Sequence, residues 1–330
     1  MLCLSAIGPR YCQIIIGSKP MSCVAFSGAW GDSCFRFDDR RQAVGAYAEV
    51  LSPPVCKCDV TYWMSYFLER RGGALDGIRT AVINTAVEAT TLNERWYCLR
   101  SQDRFIRDNI KREDCLCVSV GGNDIALFPT PCTIASMAGL LCLPKVFLRR
   151  GFSCWTAPVQ DCCCGCGSSL LSCAGACPPC LGYLRHLFGK RVELYIKQLT
   201  AKTKPKKILV CMIYYPDENR TPSWAAGALG ALKYNSDPGH IQLLIRRAFE
   251  EATSQIKIPG SEVIPVPLFD VLDGSRSEDY VARVEPSAIG GKKMAEYLLD
   301  HIRTPIRASV GAHRYTLNAP FASSISGRTK

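Results

Sequence analysis

The sequence predicts an α/β fold, a mostly parallel sheet covered by helices on both faces. Three observations predict it. Short apolar runs rich in β-branched residues recur along the chain, stretches of helical periodicity separate them, and glycine- and aspartate-bearing turns follow the ends of several runs. The composition can support such a fold. With 330 residues, 48% hydrophobic and 21% charged, the chain can bury a core and lies outside the disordered, collagen-like and multi-span membrane classes.

Met21 to Ala29 is the first run, ending at Gly28-Ala29-Trp30-Gly31-Asp32, and reads as a buried strand entering a tight loop. Val60 to Arg71 has helical spacing. Thr80 to Val87 is the second strand, and Leu92 to Lys111 is predicted to be one helix, with Leu92, Trp96, Leu99, Ile106 and Ile110 near one face. Cys115 to Val120 is the third strand and ends in Gly121-Gly122. A helix over Leu181 to Thr200 and the basic turn Lys204-Pro205-Lys206-Lys207 lead to the fourth strand, Ile208 to Tyr214. Asp237-Pro238-Gly239 opens a helix over Ile241 to Ile256, Glu262 to Leu268 is the fifth strand, and Ala288 to Ile302 is a closing helix. In such a sheet the loops leaving the carboxyl ends of the strands gather along one edge, where ligands bind.

Those loops contain the informative residues. Gly31-Asp32-Ser33 follows the first strand and can expose the Ser33 hydroxyl, although Asp-Ser after glycine is equally a helix cap. Gly121-Gly122-Asn123-Asp124 follows the third strand, where the glycines allow a sharp turn and Asn123 can present an amide donor. Taken in this order, the two loops resemble the SGNH hydrolases, also called GDSL esterases and lipases. Asn84-Thr85-Ala86-Val87-Glu88-Ala89-Thr90 is similar to the family's second block. Glu285-Pro286-Ser287, with Gly290 and Lys293-Met294-Ala295, is similar to its last block, so the matches run from Gly31 to Ala295.

The resemblance implies a flavodoxin-like three-layer sandwich with a central, mostly parallel five-stranded sheet. It implies cleavage of carboxylic esters or acetyl groups without a cofactor, on a small-molecule, lipid or carbohydrate ester. Ser33 would be the nucleophile, and its N–H and the Asn123 amide would be oxyanion donors, with Gly31, Asp32, Asn84, Gly122 and Asp124 shaping the loops. The chain also departs from the family. Glu88 stands where the second block has its glycine, Glu285 where the last block has its histidine, and Ala282 where that block has its aspartate.

Three accounts of the missing base stay open. Glu285 could serve, with Asp279 polarising a partner from the same loop, although a carboxylate of ordinary pKa about 4.3 suits a serine poorly unless burial raises it. Glu285 could instead only pair with Arg283 or Lys292. His240, spaced Asp-x-x-His from Asp237, is the alternative base, although the same residues make a common helix start. If none of these acts, the fold is a non-catalytic SGNH-like binding protein. Tyr214, Tyr215, Trp224 and Tyr234 are candidate walls for an apolar group.

Of the net charge of +11, the stretch 303–330 supplies +5 and contains no acidic residue. No nucleic-acid motif accompanies the charge, so nucleic acid is not an expected partner. Of the 20 cysteines, seven lie between Cys162 and Cys180. Cys163, Cys166, Cys177 and Cys180 form two Cys-x-x-Cys pairs and are candidate zinc ligands, but the segment is apolar and rich in Gly, Ser and Pro, and free thiols are the default. S-acylation there makes a membrane surface a candidate partner. The expected organisation is an extension over 1–20, one domain over 21–302 with a Cys-rich insertion at about 130–185, and a basic tail over 303–330. With no signal peptide or membrane span in view, the expected location is intracellular, in the cytoplasm.

Overall fold

The computed structural model describes residues 22–27, 40–44, 48–49, 51–75, 78–87, 90–149 and 182–303. Strand β1 is Ser22–Ser27, and β2 (Arg40–Gln42) and β3 (Val55–Lys57) form a small antiparallel pair. Helix α1 is Val60–Arg70, capped by the Asp59 carboxylate, which accepts the Tyr62 N–H at 2.7 Å. Strands β4 (Ala74–Leu75) and β5 (Ile78–Asn84), helix α2 (Ser101–Asn109) and strand β6 (Cys115–Ser119) follow. After β6 come α3 (Asn123–Ala126), α4 (Pro131–Cys142), α5 (Lys145–Arg149), α6 (Tyr183–Arg185), a π-helical turn (His186–Arg191) and α7 (Val192–Leu199). Then β7 (Lys207–Met212), α8 (Ala226–Ala231), α9 (Pro238–Glu251) and β8 (Glu262–Pro267) precede a hairpin of β9 (Tyr280–Val281) and β10 (Glu285–Pro286), and α10 (Ala288–Arg303) closes the described chain.

The main sheet has six strands in the order β4-β5-β1-β6-β7-β8. The sequence predicts five. β5, β1, β6, β7 and β8 are parallel, and the sixth, β4, is a two-residue antiparallel strand on the edge beside β5. Two residues carry no periodic signal, which is why β4 is invisible in the sequence. The opposite edge is β8, which carries Pro265 and Pro267.

Side chains of the central strands alternate between two cores, as a period of two requires. Leu116, Val118, Ile208, Val210 and Met212 face one core with Ile106, Leu140, Leu187, Ile196 and Leu244 from the helices that follow β5, β6 and β7. Cys115, Cys117, Leu209 and Cys211 face the other, with Val60, Met64 and Leu68 of α1 and Met294, Leu298 and Ile302 of α10. Each fully buried Leu, Ile or Val contributes about 1.5–3 kcal/mol relative to leaving it exposed. Cys115, Cys117 and Cys211 are packed, free thiols, and burial raises the pKa of Cys115 and Cys117.

One expectation needs correcting. The single helix over Leu92 to Lys111 is a one-turn 3-10 helix, Asn93–Arg95, followed by α2. Two carboxylates divide it. Asp124 accepts the N–H of Leu92 and of Asn93 at 2.9 and 3.1 Å, and Asp103 accepts the Arg100 N–H at 3.0 Å and so opens α2. Within the described part of the stretch at 130–185, Met137, Leu140 and Leu148 are buried in the first core.

Candidate active site

The chain reverses direction across the sheet at β1. From β1 it passes by way of α1, in the second core, to β5 on one side; from β5 it passes by way of α2, in the first core, to β6 on the other side of β1. Neighbouring loops diverge to opposite faces at such a point, and the crevice they leave at the carboxyl ends of the strands is where open α/β sheets bind ligands. Here the crevice lies beyond Ser27 of β1, with Asn84 of β5 in register with Phe26 and Val118 of β6 in register with Ser27. Gly31, Asp32, Ser33 and Glu88 lie outside the described residues, as do Cys163, Cys166, Cys177 and Cys180.

The loops flanking the crevice are held to each other. Asn123, half-buried at the start of α3, donates from Nδ2 to the Thr90 carbonyl at 3.0 Å, tying the loop after β6 to the one after β5. An amide NH2 has two hydrogens, and this bond uses one of them to fix the group. Asn84 is buried and turns its own loop back, its Oδ1 accepting the Ala86 N–H at 2.9 Å. Gly121 must be glycine: its φ is 101°, and a Cβ there would meet the Phe188 ring at 2.9 Å. Gly122 precedes α3. Asp124 is fully buried, and burial raises its pKa against the lowering effect of the Leu92 and Asn93 N–H groups and of the Arg191 and Arg95 charges. It therefore acts as a clamp beneath Asn123.

The last loop is the β9–β10 hairpin. Val281 pairs with Glu285, and Ala282 and Arg283 between them adopt left-handed φ of 50° and 70°. Arg283 is buried inside the fold. It donates from Nη2 and Nε to the Asp217 carbonyl at 3.1 and 3.3 Å and from Nη1 to Asn235 Oδ1 at 2.8 Å. Glu285 is half-buried beside Tyr214, whose hydroxyl donates to the Val284 carbonyl at 2.7 Å. Burial, and after it the Glu285 charge, pushes the Tyr214 pKa up. Lys292 sits 5.6 Å from the centre of the Trp63 ring.

Asp279 is buried, and both of its carboxylate oxygens accept from Lys293 Nζ at 2.7 Å. Lys293 is the partner that sequence reasoning missed: two adjacent lysines lie in the second turn of α10, and only helical phase selects the second. A Cβ on Gly290 would lie 2.1 Å from the Asp279 carbonyl oxygen, so the hairpin approach rests directly on this helix. His240 is turned elsewhere: its Nε2 meets the Leu140 carbonyl of α4 at 3.1 Å, while Asp237 pairs with Lys145 of α5. Of the candidate wall residues, Tyr215 stacks on Phe269 and Tyr234 donates to the Pro216 carbonyl, whereas Trp224 remains exposed.

Among the described residues no group of three or more His, Cys, Asp or Glu is placed to hold a metal ion, and no helix is long and apolar enough to cross a membrane.

No protein-family model matches the chain, and no curated protein does. Solved structures that it resembles include a candidate GDSL-like lipase from Parabacteroides merdae ATCC 43184, at 14% identity and TM-score 0.43, covering 87% of this chain and 97% of that one. Another is the acetylxylan esterase Axe2 from Geobacillus stearothermophilus, at 13% identity and TM-score 0.40, covering 85% and 94%. A third is LAE5, an alpha/beta hydrolase from the metagenome of Lake Arreo, Spain, at 12% identity and TM-score 0.39, covering 85% and 94%. Identities this low and TM-scores below 0.5 leave any assignment of activity to the chain's own sheet order and loop residues.

Proposed function

We propose that the chain is an ester hydrolase of the SGNH type, with Ser33 as nucleophile and Asn123 as an oxyanion donor. One observation supports the reading: β1 ends at Ser27 at the switch point of the sheet, and in the loop after its neighbour β6 the Asn123 amide is already fixed by the Thr90 carbonyl. Ser33 Oγ attacks the ester carbonyl carbon while its proton passes to a base. The carbonyl oxygen gains the negative charge, which the second Asn123 N–H stabilises; removing such a donor typically costs about 100- to 1000-fold in turnover. The intermediate collapses as the alcohol leaves with a proton, and water then releases the acid from Ser33. No step calls for a cofactor.

Glu285 is the proposed base. His240 is the weaker choice because its Nε2 is bonded to Leu140. Asp279 serves the loop rather than the proton, since Lys293 occupies both of its oxygens. The proposed domain spans 21–302, and carboxylic esters or acetyl groups on small molecules, lipids or carbohydrates are the proposed substrate class.

A fluorophosphonate probe tests the nucleophile. Wild type is expected to be labelled and Ser33→Ala not; a folded wild type that takes no label would sink the enzyme reading. The second reading, a binding protein without turnover, is favoured by the ion pair that removes Asp279 from proton transfer and by Ala282 at the family's aspartate position. Under that reading Glu285→Gln leaves any residual ester cleavage unchanged.

A further inference from the structure

A cavity of about 390 Å³ lies between the 3-10 turn Asn93–Arg95 and α7. Leu92, Trp96 and Leu194 supply apolar wall, and Arg95, Arg191 and Lys197 bring three cations to it, with no carboxylate in the lining. Two of the cations are already matched: Arg95 Nε donates to Asp103 at 2.9 Å, and Lys197 pairs with Glu193. The Tyr195 hydroxyl is spent as well, donating to Asp103 at 2.7 Å.

Arg191 is different. Its side chain is held in place, with Nη1 donating to Asn93 Oδ1 and the guanidinium lying over the Trp96 ring at 4.8 Å. The residue is 4% exposed, and its Nε is buried with no hydrogen-bond partner. No carboxylate of the described residues lies within ion-pair distance; Asp124 acts on it only through longer-range charge. An unmade hydrogen bond on a buried charged donor is costly. The edge formed by Nε and Nη2 is also the one that takes a planar carboxylate side-on through two parallel bonds.

We propose that this cavity binds a small monocarboxylate with an apolar body, its carboxylate on the Nε–Nη2 edge of Arg191 and its body between Trp96, Leu92 and Leu194. Nε is shielded from water, so the neighbouring side chains part slightly as the ligand enters. Lys197 at the mouth adds attraction for an anion without fixing its geometry. The site does not depend on ester hydrolysis and stands or falls separately from it.

Calorimetric titration of the full chain with benzoate tests the proposal. Saturable one-to-one binding is expected, weakened about tenfold or more in Arg191→Lys, which keeps the charge and loses the planar fork. Gln198→Trp, a change at an exposed cavity residue of α7, fills the space without touching a buried contact and is expected to abolish binding. It decides the matter if Arg191→Lys does not fold. The proposal is overturned by absence of saturable binding up to about 10 mM benzoate, well above the millimolar range that marks weak specific binding. It is equally overturned if either folded variant binds like wild type, or if inorganic phosphate binds more tightly than benzoate.

Discussion

Asp124 and Asn123 are neighbours in sequence with different tasks, and burial separates them. Asp124 has no exposure and spends both oxygens on the Leu92 and Asn93 N–H groups, whereas half-buried Asn123 donates to the Thr90 carbonyl. Asp124→Asn replaces one acceptor by a donor and is expected to destabilise by about 1–3 kcal/mol in urea unfolding. Its pH dependence has a definite sign. The folded pKa of Asp124 is raised, chiefly by burial, so the folded state holds the proton more tightly than the unfolded one. Stability from this group is thus greatest below the ordinary carboxylate pKa and falls as pH rises through the raised value. The advantage of wild type over Asp124→Asn should therefore shrink on going from about pH 4 to pH 7, and an advantage that grows would contradict the assignment. Arg283→Ala removes a buried guanidinium that spans Asp217 and Asn235, and should cost roughly 3 kcal/mol while loosening the loop that carries Glu285. Asn123 was legible in the sequence because Gly-Gly-Asn-Asp after a strand is a local pattern. Lys293 on Asp279 and Thr90 under Asn123 were not, because each depends on where two distant loops meet.

At the scale of elements, the turn after β6 meets the π-helical turn where Phe188 lies over Gly121. Gly121→Ala must accept both a left-handed φ and a clash with the ring, and is expected to cost about 1–3 kcal/mol. Phe188→Leu in the same chain should return part of that loss if the ring is the obstacle, which a double-mutant cycle in denaturant would read. The parallel strands and α1, α7, α9 and α10 follow from periodicity, since each buries a face that recurs at strand or helix spacing. What periodicity could not deliver was the break near Trp96. The apolar spacing runs on past it, and the polar caps from Asp103 and Asp124 decide the geometry.

For the molecule as a whole, two cores share one sheet, so β6 and β7 contribute to both and the layers should unfold together. A chain trimmed to residues 21–303 is expected to show one transition by circular dichroism and by tryptophan fluorescence, with coincident midpoints. Separate midpoints would divide the proposed 21–302 domain. The α/β class and the five parallel strands were readable because strands and helices alternate along the chain, whereas alternation does not fix the order of strands across the sheet. The sixth strand and the docking of 131–149 on α9 were not readable, since short or tertiary contacts leave no repeat in sequence. The ends of the sheet have one more consequence. One side finishes in the two residues of β4 and the other in a strand bearing Pro265 and Pro267, whose nitrogens have no hydrogen to donate. Among the described residues, both borders of the main sheet are therefore poor templates on which another polypeptide could continue the ladder.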